Sequence, residues 1–145
     1  DGIRDSSVTG VQTCALPIFE FGVLGLEVEE IVVMGHGRCG GVAAALSPAT
    51  QLAASDFVGA WVADLTALEE RTPVSPSDGA EERQRMIEHL SVQQSLEHLR
   101  TFPWIAERER AGRLALHGAW FDIALGELHA LVGDRWQPQP TDQAG

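Results

Sequence analysis

Apolar and polar positions follow two different periods along the chain, and each period predicts a different kind of element. Residues 31–35 form an apolar run rich in β-branched side chains and closed by glycine, which predicts a buried strand. Residues 40–46 begin with two glycines and continue with small apolar residues, which predicts the start of a helix. Before this strand, residues 19–26 predict a short amphipathic helix with an apolar face formed by Phe19, Val23 and Leu26.

Three later segments have helical periodicity. Residues 52–70 predict a helix whose apolar stripe is formed by Phe57, Trp61, Leu65 and Leu68. After a loop rich in Pro, Ser and Gly at residues 71–79, a second helix carries the apolar residues Met86, Ile87, Leu90, Leu96 and Leu99. Pro103 suits a first helical turn, so a short helix is predicted over residues 104–110.

The last third of the chain predicts strands. Residues 114–123 and 127–132 alternate with period two on either side of a turn at Leu125-Gly126, which predicts a β-hairpin. The order of elements predicts an α/β fold, with a mostly parallel sheet, flanking helices and an antiparallel C-terminal hairpin. Residues 134–145 contain three glutamines and two prolines, which predicts a flexible tail.

Composition narrows the possible partners. The chain has 145 residues and a formal net charge of -11, with ten arginines and no lysine, which disfavours binding to nucleic acid or an anionic membrane. It lacks a run of roughly 18 to 20 apolar residues that could span a membrane, and its first residues do not read as a secretory signal. Since two cysteines make a disulfide framework improbable, we expect a cytoplasmic protein with reduced thiols.

His36 and Cys39 are the candidate metal ligands. They stand three positions apart between the predicted strand and the following helix. A thiolate at a helix N-terminus is stabilised by the positive end of the backbone dipole, and imidazole is a borderline nitrogen donor. This pair therefore suits zinc better than a hard cation such as magnesium.

The flanking sequence resembles a known family. Residues 31–46, IVVMGHGRCGGVAAAL, resemble the second zinc motif of the β-class carbonic anhydrases, in which a strand ends in Gly-His and a Cys lies three residues on. Residues 19–30 and 56–61 are similar to the neighbouring helices of that family. Residues 82–131, with LRTFPW and LALHGAWFDI, resemble its C-terminal part. The resemblance extends from residue 19 to about residue 132.

This resemblance implies a zinc enzyme that reversibly hydrates carbon dioxide to bicarbonate. Zinc in the family is held by two cysteines and one histidine and keeps a fourth position for water; His36 and Cys39 match the second and third ligands. The first cysteine belongs to a Cys-x-Asp-x-Arg motif that also supplies an Asp-Arg dyad, and this sequence lacks that motif. Cys14 is followed by neither the Asp nor the Arg, so we do not expect it to be a ligand, and no catalytic residue is assigned.

The first residues predict an incomplete enzyme. Residues 1–18 lack periodicity and resemble the translation of a sequencing adapter, so we expect a foreign or disordered leader, with a flexible natural arm as the alternative. Residues 19–133 would then be a partial, N-terminally truncated domain without the family's N-terminal strand or strands. We expect such a fragment to bind zinc poorly, to hydrate carbon dioxide weakly and to be marginally stable. Relatives are dimers or larger, which implies a homo-oligomer, dimer or tetramer, when the domain is intact.

Other polar residues have less specific interpretations. Arg38 could attract bicarbonate or simply lie in solvent. His117 falls in an alternating strand, where a packed histidine is expected. Solvent exposure is expected for the histidines on predicted polar faces, which are His89, His98 and His129.

An alternative function also fits the glycine-rich turn. Backbone N–H groups after a strand can bind an anion or phosphate, so a metal-free anion-binding, nucleotide-binding or interaction module remains open. The turn lacks the glycine spacing and lysine of a P-loop. Replacing Cys39 by Ser separates these functions, because loss of zinc supports the enzyme and unchanged anion binding supports the module.

Overall fold

The computed structural model describes residues 16–47, 58–72 and 79–140. Residues 16–20 are helical and continue into a π-helical turn, Phe21–Gly25. The remaining elements, in chain order, are β1 (Glu30–His36), α1 (Gly40–Ala45), α2 (Val58–Arg71), α3 (Ala80–Arg100), α4 (Pro103–Arg110), β2 (Ala115–Asp122), β3 (Glu127–Val132) and β4 (Arg135–Pro138). None of the described helices is long and apolar enough to cross a membrane.

The four strands form one mixed sheet in the order β1-β2-β3-β4. β1 and β2 pair in parallel, with Val33 opposite Gly118. A parallel pair needs a long crossover, and the helices between β1 and β2 supply it. The β2–β3 and β3–β4 pairs are antiparallel. The α/β class and the C-terminal hairpin are therefore confirmed. The sheet is mixed and not mostly parallel as predicted, because β3 and β4 add two antiparallel pairings to the one parallel pairing in the described residues.

Two glycines allow α3 to pack closely on one face of the sheet. A Cβ atom at Gly35 in β1 would lie 2.8 Å from Cγ2 of Val92 in α3. A Cβ atom at Gly118, which lies in β2, would lie 3.2 Å from Cδ1 of Leu96. A side chain at Gly35 would therefore force Val92 to move, whereas one at Gly118 would press against Leu131 of β3 as well as Leu96.

We expect Gly35→Ala to lower the free energy of unfolding by about 1–3 kcal/mol, the usual cost of overpacking. Val92 cannot turn aside easily because its χ1 angle is stiff. In a Val92→Ala background the added cost should largely disappear. Gly79→Ala is the matched control, since no atom lies within 4 Å of a Cβ added there. Equal urea midpoints for the Gly35 and Gly79 variants would contradict this prediction.

One hydrophobic cluster joins the N-terminal helix to α3, α4 and the start of β2. Its buried members are Val23, Leu99, Ile105 and Leu114. Ile31 and Val33 of β1 pack against it from the sheet. Phe102 and Trp104 pack against it at the start of α4. The cluster fixes the position of β1 and therefore of the turn that follows it.

The opposite face of the sheet is exposed. Val32 and Met34 in β1 are 58% and 66% exposed, although the strand was predicted to be buried. The pairing register places Phe121 and Leu128 opposite each other across β2 and β3, and both are partly exposed. Side chains alternate between faces along a strand, so helices cover only one face of this sheet among the described residues.

Two expectations about the ends of the chain need correction. Residues 135–138 form β4, so the predicted flexible tail from residue 134 is wrong for them; residues 141–145 lie outside the described part. Pairing with β3 and stacking of Trp136 on His89 of α3 account for this strand. Residues 16–18, predicted to belong to the leader, are helical. The rest of that leader, with Cys14, lies outside the described residues.

The predicted helices differ from the structure in detail. Leu26 is 64% exposed, although it was placed on an apolar face with Val23. The reason is the π-helical turn, in which the N–H of Leu26 donates to the carbonyl oxygen of Phe21 at 2.9 Å and shifts the chain off the 3.6-residue period. The helix predicted over residues 52–70 is described from Val58 to Arg71, and Phe57 lies outside the described residues.

Candidate metal centre

The structure places His36 and Cys39 on one short turn, as the sequence predicted. His36 is the last residue of β1, and its side chain is exposed. Its Nδ1 lies 3.0 Å from the carbonyl oxygen of Gly37. Since a carbonyl only accepts, Nδ1 must carry the hydrogen, which leaves the Nε2 lone pair available to a metal.

Cys39 is the N-cap residue of α1. Its backbone is extended, with φ -64° and ψ 120°, and its side chain makes no capping hydrogen bond. The free thiol is partly exposed. Cys39 therefore presents a free sulfur beside the imidazole-bearing end of β1.

The backbone between these residues is tightly constrained. Gly37 donates its N–H to the carbonyl oxygen of Phe121 at 2.9 Å, and a Cβ atom there would lie 3.0 Å from Cζ2 of Trp120. Arg38 has φ +56°, a left-handed conformation that few non-glycine residues adopt. Its side chain is exposed at the turn. The turn thus combines a close approach to β2 with one unfavourable backbone angle.

The buried carboxyl group of Glu88, in α3, contacts this turn. Glu88 is 3% exposed and accepts the N–H of Cys39 at 2.8 Å. It also accepts Nε1–H of Trp120 at 3.3 Å and Nε2–H of Gln84 at 3.0 Å. Gln84 Nε2 lies 3.1 Å from the carbonyl oxygen of Cys39 as well. α3 therefore holds both backbone polar groups of Cys39.

Sequence reasoning missed Glu88, although a signal was present. The buried residues of α3 include Glu88, Val92, Leu96 and Leu99, at spacings of four, four and three. A carboxyl group on an otherwise apolar helical stripe must find hydrogen-bond donors or remain costly to bury. Such a residue is a candidate for contact with a functional turn.

The donors on the turn fit zinc in kind. A thiol sulfur and an imidazole nitrogen are ligands that zinc prefers. Within the described ranges, no group of three or more His, Cys, Asp or Glu side chains could hold a metal ion. His36 and Cys39 can therefore supply part of a metal centre, and their role as ligands stays a prediction.

The other histidines differ from the sequence-based expectations in three of four cases. His117 is exposed on the open sheet face. It pairs with Val32 of β1, which is exposed on the same face. His89 is partly buried and stacks on Trp136 at 4.5 Å between ring centroids, with Trp120 edge-on at 4.6 Å. Burial, followed by His129 and Arg85, lowers the pKa of His89 from 6.5 to about 4. His98 is exposed as expected, whereas His129 lies half-buried against Trp120.

The sequence and the fold both match known proteins. The profile of the family described as carbonic anhydrase matches residues 7–128, starting within the segment predicted to be a leader. The mitochondrial β carbonic anhydrase 6 of Arabidopsis thaliana is 36% identical over 107 residues, which are 72% of this chain and 37% of that protein.

Two solved structures show the same fold. The β-carbonic anhydrase CcaA superposes with a TM-score of 0.77 at 23% identity, over 93% of this chain and 66% of that one. A tetrameric β-carbonic anhydrase from Sordaria macrospora gives a TM-score of 0.70 at 27% identity, over 86% of this chain and 62% of that one. The chain thus spans less than two thirds of each of these proteins. From the profile match and these relatives, the chain belongs to the carbonic anhydrase family, in its β class.

Proposed function

We propose that this chain supplies His36 and Cys39 to the zinc site of an enzyme that interconverts carbon dioxide and bicarbonate. Family membership supports the reaction. The observation that supports the site is the turn itself. At one end of the sheet it places an imidazole whose Nε2 can bind a metal and a thiol that makes no capping hydrogen bond. Zinc, when bound, supplies a Lewis acid that activates water for attack on carbon dioxide.

The residues of this chain would bind and orient the metal. His36 would donate through Nε2, because its Nδ1 hydrogen is directed to the backbone. Cys39 would donate through Sγ, with its backbone held by Glu88 and Gln84. Arg38 lies between them with its charged group in solvent, where it can attract bicarbonate by charge.

We further propose that this chain has weak activity. The described residues contribute two metal donors where the family is expected to use three, and the sequence lacks the Cys-x-Asp-x-Arg motif with its acid-arginine dyad. Metal affinity falls steeply when a ligand is lost, because binding free energy is shared among the ligands. Stopped-flow hydration with matched zinc analysis tests this proposal. Near-stoichiometric zinc together with rapid turnover would refute it.

The geometry disfavours the alternative of a phosphate-binding or nucleotide-binding module. The N–H of Cys39, which an anion would need, already donates to the carboxyl group of Glu88. A buried carboxyl group at the same point also repels an anion. In addition, α1 has only six residues, so its dipole is weak.

We expect Cys39→Ser to reduce metal binding by the full chain at least tenfold, because a hydroxyl is a much poorer zinc ligand than a thiolate. Cadmium titration followed by the thiolate-to-metal absorption band provides the measurement. Cys14→Ser is the matched control and should retain the wild-type band. A band that survives Cys39→Ser and disappears in Cys14→Ser would show that the ligand is the other cysteine.

For partners, we propose carbon dioxide and bicarbonate as small-molecule substrates and a homo-oligomer as the assembly. The solved relative from Sordaria macrospora is tetrameric by its description. The exposed apolar side chains of the open sheet face also favour association. A monodisperse monomer in analytical ultracentrifugation at micromolar concentration would oppose this proposal. A cytoplasmic location, inferred from the low cysteine content, is likewise a proposal.

A further inference from the structure

We propose that Glu88 and Gln84 are positioning residues that clamp the backbone of Cys39 and so fix the direction in which its thiol points. They lie one helical turn apart on α3, and their side chains reach the two backbone polar groups of the same residue, Cys39. The value of this clamp for metal binding rests on the proposed function. The clamp itself is a property of the backbone hydrogen bonds.

The hydrogen bonds of Cys39 are complete at both ends. Its N–H donates to Oε1 of Glu88 at 2.8 Å. Its carbonyl oxygen accepts from the N–H of Ala43 at 2.9 Å, within α1, and from Nε2 of Gln84 at 3.1 Å. Nε2 of Gln84 also donates to Oε1 of Glu88 at 3.0 Å, which holds the two clamp side chains together. With both polar groups occupied, the φ and ψ angles of Cys39 are fixed and only χ1 can redirect the sulfur.

Burial argues that Glu88 has a role other than filling the core. It is 97% buried, yet the structure shows no ion pair to it among the described residues. A carboxyl group is costly to bury, and an apolar residue could fill the same space, but it would leave the N–H of Cys39 and Nε1–H of Trp120 without their acceptor. What Glu88 provides instead is a set of acceptor atoms for Cys39, Gln84 and Trp120.

The turn also needs an external constraint. Arg38, directly before Cys39, has a left-handed backbone with φ +56°, which stores strain and persists when the surroundings hold it. Because α1 is only six residues long, it holds Cys39 weakly from the other side. The long, well-packed α3 is the rigid element here, so a clamp from α3 keeps the thiol in place.

Two variants of Glu88 separate positioning from stability. Glu88→Gln keeps an acceptor oxygen for the Cys39 N–H and should retain most of the clamp. Glu88→Leu keeps the core filled but removes every acceptor. Gln84→Ala removes the contact to the Cys39 carbonyl. Glu97→Ala, on an exposed position of the same helix, is the matched control.

The test uses the full chain in a Cys14→Ser background, so that Cys39 is the only thiol. Amide hydrogen exchange at Cys39, followed by NMR, should accelerate at least tenfold in Glu88→Leu and remain near wild type in Glu88→Gln and Glu97→Ala. Cadmium affinity, read from the thiolate-to-metal band, should fall by about 10- to 100-fold in Glu88→Leu, the usual effect of losing a partner behind a ligand. Gln84→Ala should give a smaller fall in affinity.

The outcomes distinguish the clamp from a purely structural role. A Glu88→Leu variant that folds and keeps wild-type exchange at Cys39 and wild-type cadmium affinity would overturn the proposal. If Glu88→Leu fails to fold, unchanged cadmium affinity in Gln84→Ala would overturn it. If no cadmium band forms even without substitution at Glu88, while exchange at Cys39 still responds to Glu88→Leu, the clamp stands and the proposed metal function fails.

Discussion

Replacing Ile105 by alanine is expected to lower the free energy of unfolding by about 2–5 kcal/mol, the range found when a large buried side chain leaves a cavity. Ile105 is fully buried in α4, within the cluster of Val23, Leu99 and Leu114. These residues come from four separate segments, so the lost contacts cannot be restored by a shift of one element. Domains are stable by about 5–15 kcal/mol in total, and this loss is a large part of that.

A graded series tests this effect. Ile105→Val should cost about 0.5–1.5 kcal/mol, because it removes one methylene instead of three carbon atoms. Glu107→Ala, on the exposed side of the same helix, is the control and should stay within about 0.5 kcal/mol of wild type. Urea unfolding followed by tryptophan fluorescence measures all three. An Ile105→Ala midpoint equal to that of Glu107→Ala would contradict the assigned core.

Stability is expected to rise as the pH increases from about 4 to 6.5, with His89 as a major contributor. Burial lowers its pKa from 6.5 to about 4, with further lowering by His129 and Arg85. Between these values the unfolded chain binds a proton that the folded chain excludes, so protons favour unfolding. Above pH 6.5 both states are neutral at His89 and the penalty is absent. After allowance for solvent screening of this partly exposed ring, the effect amounts to about 1–2 kcal/mol.

Carboxyl groups titrate at the lower end of the same pH range, so the contribution of His89 has to be isolated by comparing variants. His89→Phe keeps the stacking on Trp136 and removes the titration. Its stability should therefore rise less between pH 4 and 6.5 than that of wild type. His98→Gln, at an exposed position of the same helix, should keep the wild-type slope. Parallel pH curves for wild type and His89→Phe would disprove the role of His89.

The exposed face of the sheet favours self-association of this chain. β1 pairs only with β2 among the described residues, and its outward side chains Val32 and Met34 are exposed. A free strand edge next to an apolar face is a template for pairing with another chain. The expected marginal stability and self-association therefore have a common origin in β1, which also carries His36.

Elements that depend on neighbouring residues could be predicted from the sequence alone. The hairpin of β2 and β3 follows from period-two alternation around Gly126, whose φ of +70° suits glycine. α4 spans Pro103–Arg110, one residue longer at its start than the predicted helix over residues 104–110. The turn from His36 to Cys39 was also found correctly, because a strand end and a helix start lie within four residues.

Features that depend on distant residues were decided by the tertiary structure. Cys39 and Glu88 are 49 positions apart, and nothing local to either residue indicates that they share a hydrogen bond. The stacking of His89 on Trp136 likewise requires α3 to be packed on the sheet next to β4. Sequence patterns determined most of the elements, although not β4, because periodicity and turn chemistry act over a few residues. The motif around His36 and Cys39 indicated the family. The environment of the turn was decided by packing between elements, since α3 brings its buried carboxyl group to Cys39 only when it is docked on the sheet.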